Sequence, residues 1–275
     1  MSKLFSVETS TRAIRYQRQT SEKLQSNAQK LASGNRIVKA ADDAAGLSIV
    51  SKSKANTRSK QMANRNTNDA ISVVQVMEGR LSGMSESLIR IRELAIAASS
   101  GTYSDTERSM HNREAQELLR EIDRVNDSTR FNGRNLFSGK ESPLDIQVDS
   151  GTKKENRIRI DLNKMAHSTH ALGVKDVLLD SQHRAKLSLA KIDHAIKEVS
   201  SSVAFLGSVH ARLQHSMSKL SNDVVNNKTA ESKVGDTDYA SETAKQAKNN
   251  ILQSAQTSVI SQSSNFGRNY LKLLE

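Results

Sequence analysis

Two apolar seams with a 3.5-residue repeat, one in each half of the chain, constrain the fold more than any other feature. The first reads Ala63, Thr67, Ala70, Val74, Met77, Leu81, Met84, Leu88, Ile91, Ala95 and Ala98. The second reads Leu189, Ile192, Ile196, Val199, Val203, Leu206, His210, Leu213, Met217, Leu220 and Val224. Steps of four and three alternate without a slip, and each seam has one polar member, Thr67 or His210. Such a repeat keeps a single stripe turned toward a partner helix along its whole length. About 36 residues per seam correspond to about 54 Å of helix at 1.5 Å per residue. Long helices in opposite halves predict a chain that folds back on itself. The fold class is then mainly α, an elongated antiparallel helical bundle or coiled coil.

Composition supports a thin core rather than a deep one. Of 275 residues, 36% are hydrophobic and 3% aromatic, with one Pro and no Trp, as in bundles whose core is a narrow seam. The absence of cysteine excludes disulfides, thiolate catalysis and Cys-based zinc sites. No apolar run is long enough to span a membrane. Residues Met1 to Thr20 are polar and lack the apolar core of a cleaved secretory signal, so export would need another route.

The net charge of +11 is unevenly placed. Residues 1 to 65 hold about 13 Lys/Arg against four acids, Glu8, Glu22, Asp42 and Asp43. This excess reads either as a surface for nucleic acid or anionic membrane, or as a solvated or subunit-facing basic helix. Only Tyr16 among the basic residues offers a stacking platform, and no nucleic-acid motif is present. The second reading is therefore preferred.

Along the chain, residues 4 to 33 read as a helix with a thin stripe of Ile14, Leu24, Ala28 and Leu31, too weak to stand alone. Ser33-Gly34-Asn35 ends it, with Gly where a left-handed cap is cheap. A connector follows. Asp42 and Asp43 are expected in the first turn of the next long helix, where carboxylates favour the dipole. That helix runs to about Ala98. Ser104 and Glu107 have capping-box spacing for a shorter helix, which buries Ala115, Leu118, Ile122 and Val125. Phe131 to Asn135 is expected to be a turn. The period then changes to two: Leu144, Ile146 and Val148, then Ile158, Ile160 and Leu162, predict a β-hairpin near 143–162. Residues 163 to 183 read as loop, 184 to 228 as the second rod. A last helix over 238 to 263 places Ala244, Ala247, Ile251, Ala255 and Val259 on one side. If the thin-striped end helices pair, both termini lie together. The order expected after polymerisation alone is a further prediction of their weak stripes.

No catalytic set is legible. His167 and His170, three apart in a loop, could be half a metal site, but a third ligand is missing. His210 on the second seam is expected in a polar layer that sets helix register, with a pH-sensing role as a weaker alternative. Asp42 and Asp43 are explained by capping. No phosphate loop, nucleophile elbow or HExxH motif occurs. No enzyme activity, cofactor or metal is expected, and assembly is left as the function: a non-closing, head-to-tail contact that builds a helical polymer.

Several words in the chain sharpen this. Leu31-Ala32-Ser33-Gly34-Asn35-Arg36-Ile37 and Ala41-Asp42-Asp43-Ala44-Ala45-Gly46-Leu47 stand near the start. Arg65-Asn66-Thr67-Asn68-Asp69-Ala70, Ile89-Arg90-Ile91-Arg92-Glu93-Leu94, Glu121-Ile122-Asp123-Arg124-Val125 and Phe131-Asn132-Gly133 follow. Leu206-Gly207-Ser208-Val209, Arg212-Leu213 and Asn250-Ile251-Leu252-Gln253 complete the series. In this order they resemble bacterial flagellin over nearly the whole chain. The resemblance implies an inner domain of paired terminal helices, 1–43 with 229–275. It also implies a helical-bundle domain with the hairpin over 44–228, no inserted outer domains, and a connector containing Ser33, Gly34, Asn35, Asp42 and Asp43. It further implies export without a cleaved signal peptide into an extracellular flagellar filament, bare or sheathed, that serves swimming.

By the same resemblance the partners are copies of the chain, other flagellin subunits, an export chaperone, the filament cap and hook–filament junction proteins. Arg90, Leu94 and Glu114 stand where many flagellins carry a subunit-contact surface that an innate immune Toll-like receptor also reads. The alternative for Leu94 is simple packing in the bundle, with the charged pair solvated. Departures cluster in the inner domain: Phe5-Ser6-Val7-Glu8, Val234-Gly235-Asp236-Thr237-Asp238, the final Tyr270-Leu271-Lys272-Leu273-Leu274-Glu275, and a pI near 9.8. Two other readings stay open. One is a hook–filament junction protein; the other, of a different class, is a basic coiled-coil binder of nucleic acid or membrane surfaces.

Overall fold

The computed structural model describes residues 2–139 and 141–272, with side-chain surroundings for 11–139 and 141–265. Five helices carry the chain: α1 (Ser2–Ser33), α2 (Ala44–Ser99), α3 (Asp105–Ser128), α4 (Gln182–Gly235) and α5 (Tyr239–Lys272). Between α3 and α4 lie β1 (Arg130–Phe131), β2 (Arg134–Asn135), β3 (Leu144–Gln147) and β4 (Arg157–Ile160). The residues form two compact units: unit 1 spans 1–56 and 225–275, and unit 2 spans 57–224. The fold is the mainly α bundle with a small antiparallel hairpin that the sequence predicts.

In unit 2, α2 and α4 run antiparallel. Arg92 pairs with Asp193, Glu78 with His210 and Lys60 with Asp223, so one number falls as the other rises. Every member of the first seam is buried, from Ala63 to Ala98. Val74, Met77, Leu81, Leu88 and Ile91 are 0% exposed and Met84 1%. Thr67 is tolerated there because its hydroxyl donates to the Ala63 carbonyl at 2.8 Å, which satisfies a buried polar group locally.

The second seam is rotated from its predicted setting. Ile192, Val199, Leu206, Leu213 and Leu220 are buried, but Ile196 and Val203 are only partly buried. Ala195, Ser202 and Val209 occupy the centre instead. The cause is a third layer. The segment over 162–180 is irregular in backbone yet buries Leu162, Met165, Leu172, Val174, Val177 and Leu179 against the core. Its close approach to α4 needs small residues there. Ser202 Oγ meets His167 Nε2 at 2.9 Å, and Ser188 Oγ donates to the Leu178 carbonyl. What reads as loop in the sequence is therefore core.

Helix α3 starts as predicted. Ser104 Oγ accepts from the Glu107 N–H while Glu107 accepts from the Ser104 N–H at 2.7 Å, a reciprocal cap. Strands β3 and β4 pair antiparallel, with Leu144 opposite Ile160 and Ile146 opposite Ile158. The expected turn at Phe131–Asn135 is itself a two-residue hairpin, β1 with β2. Asn132 and Gly133 turn it with φ of 48° and 82°, the left-handed pair that a tight hairpin requires.

In unit 1, α1 and α5 pack along each other. Tyr239, at the start of α5, donates its hydroxyl to the Leu31 carbonyl near the end of α1. The connector after α1 is stitched to the segment before α5. Gly34, at φ 69°, accepts at its carbonyl from Thr237 N, and Arg36 N donates to the Gly235 carbonyl at 2.7 Å.

The aspartates depart from expectation. Helix α2 starts at Ala44, so neither lies in its first turn. Asp43 caps the helix by accepting from Gly46 N at 2.8 Å. Asp42 accepts from the N–H groups of Val38 and Lys39, and these bonds hold its carboxyl below the usual carboxylate range.

Candidate assembly surfaces

The terminal pair is built inside out relative to the long bundle. Facing positions on α1 are Ala13, Gln17, Thr20, Leu24, Asn27 and Leu31. On α5 they are Glu242, Gln246, Asn249, Gln253 and Gln256, with Ile260 as the apolar member at the far end. Glu242 is 6% exposed and Asn27 7%. With its amide oriented for bonding, Asn27 donates to Glu242 Oε1 at 2.9 Å and accepts from Asn249 Nδ2 at 3.1 Å. Lys245 holds the same carboxylate at 3.0 Å. A seam of amides excludes little apolar surface, so it specifies register more than it stabilises.

The predicted apolar stripe of α5 consequently faces outward. Ile251 is 71% exposed and Val259 59%, and Ala244, Ala247 and Ala255 are exposed beside them. On α1, Ile14 is 42% exposed and Ala28 exposed, which leaves Leu24 and Leu31 as the large apolar members of its seam. Contiguous exposed apolar residues on one helix face mark a contact surface.

Of the three residues singled out at the bundle, the structure brings two together on the surface. Arg90 Nη2 lies 2.8 Å from Glu114 Oε1, and Arg90 Nη1 donates to Glu93 at 3.0 Å. The bonds to Glu114 and then Glu93 push the guanidinium further toward its charged form. Leu94 is 4% exposed and packs in the core, so in the subunit it supports the pair from beneath. Apolar Ile89 and Ile96, each 47% exposed, flank them. Ser33, Gly34, Asn35, Asp42 and Asp43 all lie within unit 1.

The histidines separate. His167 is buried against Ser202 and Phe137, and burial lowers its pKa, whereas His170 is exposed. Among the described residues no group of three or more His, Asp or Glu is placed to hold a metal. His210 is half-buried at the edge of the seam, with Nδ1 3.4 Å from Glu78 Oε2 and Nε2 3.1 Å from Gln214. Arg108 escaped notice in the sequence. Its guanidinium, 8% exposed, donates to the Ala98 and Ser100 carbonyls at 2.9 and 2.8 Å and to Asp105 at 2.9 Å. A charged residue among charged residues carries no signal that it will close the end of α2.

Comparison with known proteins agrees with this architecture. Residues 7–142 match the family model of the bacterial flagellin N-terminal helical region, and 189–274 that of the C-terminal helical region. The chain is 35% identical over 248 residues to a flagellin of Halalkalibacterium halodurans, covering 90% of each. The crystal structure of Bacillus cereus flagellin superposes with a TM-score of 0.51 at 26% identity, over 57% of this chain and 88% of that one. A putative flagellar hook-associated protein from Vibrio parahaemolyticus gives 0.57 at 16% identity, over 71% and 100%, and at that identity shares the fold alone. Two matched helical regions and a buried heptad bundle of the same order make this chain a member of the bacterial flagellin family, a structural subunit of the flagellar filament.

Proposed function

We propose that polymerisation is driven by the outward face of α5 and completed along the bundle by the Arg90–Glu114 edge. The observation that carries the first part is the inverted terminal pair: amides inside, and Ile251 and Val259 on the surface. Copies docking there remove apolar area that the isolated subunit leaves in water. At about 25 cal/mol per Å², burying two such side chains favours assembly by about 3 kcal/mol. The unit boundaries then correspond to a terminal-helix layer and a bundle layer in the filament.

The subunit acts by assembly rather than catalysis, outside the cell. An export chaperone, a cap and hook–filament junction proteins are its partners by family membership. Arg90, Glu93 and Glu114 form the part of the bundle edge that a neighbouring subunit meets. Receptor recognition, if it uses this edge, reads the charged pair and the flanking Ile89 and Ile96, because Leu94 faces inward.

Sedimentation and negative-stain microscopy of purified subunits test the α5 part. Wild type is expected to form pelletable filaments, and Ile251→Asp/Val259→Asp to raise the critical concentration at least about tenfold, since about 1.4 kcal/mol suffices for that factor. An unchanged critical concentration in the double variant would remove the outward stripe from the assembly interface.

A further inference from the structure

The segment over 162–180, between β4 and α4, is held to the bundle by side chains rather than by a ladder of backbone bonds. On α3, polar side chains at 112, 116, 123 and 126 grip its backbone. Asn112 Oδ1 accepts from Leu179 N at 2.9 Å, and Gln116 Nε2 donates to the Val177 carbonyl at 2.8 Å. Asp123 accepts from Thr169 N and from the Thr169 hydroxyl, each at 2.8 Å, and Asn126 Oδ1 accepts from His167 N at 3.3 Å. Their spacing keeps all four on one flank of α3. The backbone bonds of the segment are internal turns, such as Leu172 N to the Ser168 carbonyl and Val177 N to the Val174 carbonyl. Part of it can therefore lift without breaking a helix or a sheet.

The two ends differ in what holds them. Toward α4, Leu172, Val174, Val177 and Leu179 are buried, and the polar ties run to Asn112 and Gln116, whose amides do not titrate. Toward β4, the buried members after Leu162 are Met165, His167 and Thr169. His167 is 4% exposed, and its one side-chain hydrogen bond among the described residues joins Nε2 to Ser202 Oγ on α4 at 2.9 Å. Its ring also meets Phe137, with 6.4 Å between centroids. The charged groups around it are Glu198, one turn before Ser202 on α4, and Asp123 on α3, both of whose oxygens are engaged by Thr169. A hydroxyl and an aromatic ring in a buried site are poor company for a cation. Burial lowers the pKa of His167, with Glu198 opposing, so water reaching the ring favours its charged form.

We propose that residues 165–170 form an acid-released latch, which opens locally when the His167 ring takes up a second proton while 172–179 and the heptad seam stay closed. Freeing the whole segment would expose Leu162, Met165, Leu172, Val174, Val177 and Leu179 together, more than one proton can offset. Opening 165–170 exposes only Met165 among them. With an ordinary imidazole pKa of about 6.5 in the open form, lowering the pH from 7.5 to 5 raises the opening constant by at most about 30-fold. His210, on the same helix as Ser202, gives the contrast. It is half-buried with Nδ1 3.4 Å from Glu78 Oε2, so a proton there adds a charge pair between α2 and α4 rather than opening them.

Native-state hydrogen exchange on the full chain, resolved to single amides and expressed as protection relative to the unfolded rate at each pH, tests this. Between pH 7.5 and 5 the amides of His167 and Thr169 are expected to lose about threefold to 30-fold protection. Those of Val177 and Leu179, and of the seam around Leu81 and Leu206, are expected to keep theirs. In His167→Gln, whose side chain can still bond Ser202, the loss at 167 and 169 should vanish. His170→Gln, which removes the exposed imidazole of the same segment, should behave as wild type. An NMR titration of the wild-type His167 ring needs no variant: the ring is expected to take its proton below the ordinary value of about 6.5, in step with the loss at Thr169 N. A ring that protonates with no change at Thr169 N overturns the proposal. So does equal pH dependence in wild type and His167→Gln, or a loss of protection across all of unit 2 at once.

Discussion

Replacing Arg108 by Ala should loosen the corner between α2 and α3 more than any other single surface-directed change in unit 2. The guanidinium is 8% exposed and makes three charge-assisted bonds, two of them to the Ala98 and Ser100 carbonyls at the C-terminal end of α2. Those carbonyls have no helical partner at a helix end, and a cation there is also favoured by the dipole. Hydrogen bonds to a charged donor contribute about 1.5–3 kcal/mol each. The Asp105 partner is 90% exposed, so that contact adds about 0–1 kcal/mol. Water can reach part of the site once the side chain is gone, which offsets some of the loss. The net cost is about 3 kcal/mol, a large fraction of the about 5–15 kcal/mol that holds a typical domain. Urea unfolding read by circular dichroism, with hydrogen exchange at the amides of 99–108 to assign the transition to this corner, measures it. Lys should recover only part of the loss, since its compact ammonium cannot reproduce the planar fork that spans the two carbonyls. The Arg90–Glu114 pair should weaken with it, because the corner sets where α3 stands against α2. A destabilisation below about 1 kcal/mol, with unchanged exchange, would refute the view that this side chain closes the helix end.

Acid should destabilise unit 2 through His167. Burial lowers its folded pKa beneath the ordinary 6.5, with Glu198 opposing weakly. The stability it contributes is thus fully present above 6.5 and is lost progressively as pH falls from there through the lowered folded pKa. His167→Gln, which can still bond Ser202, should flatten the melting temperature between pH 7.5 and 5; an identical slope in the variant would contradict this. At Gly46, a Cβ would sit 2.7 Å from Ile37 Cδ1 and collide with the Asp43 carboxylate. Gly46→Ala should therefore cost about 1–3 kcal/mol despite its better helix propensity, and a stabilised variant by thermal melting would show that the α2 cap can shift aside.

Much of this protein is legible in its sequence where local chemistry and period decide the outcome. Alternating steps of four and three from Ala63 to Ala98 can bury only one stripe, and all of it is buried. Ser104 with Glu107 satisfies two helix-end donors by itself. Leu144, Ile146, Ile158 and Ile160 alternate and so must pair as strands. The family words Asp42-Asp43-Ala44-Ala45-Gly46 and Phe131-Asn132-Gly133 point to assembly before any coordinate is seen.

Tertiary structure alone settled the features that depend on which neighbour arrives. The sequence seam on α4 names Ile196 and Val203, but the segment over 162–180 packs so close that Ala195 and Ser202 hold the centre. Periodicity reports that a helix has an apolar stripe and says nothing of where a third layer lies. Ile251 and Val259 form a true stripe, yet it faces out, because the side of α5 that carries Glu242, Asn249 and Ile260 is the one that meets α1. Leu94 stands in a family contact word with packing in the bundle as its alternative, and the fold buries it, leaving Arg90 and Glu114 at the edge. In each case the sequence determined the faces of a helix, and the tertiary contacts determined which face met water, because burial depends on how the helix is rotated by all of its neighbours at once.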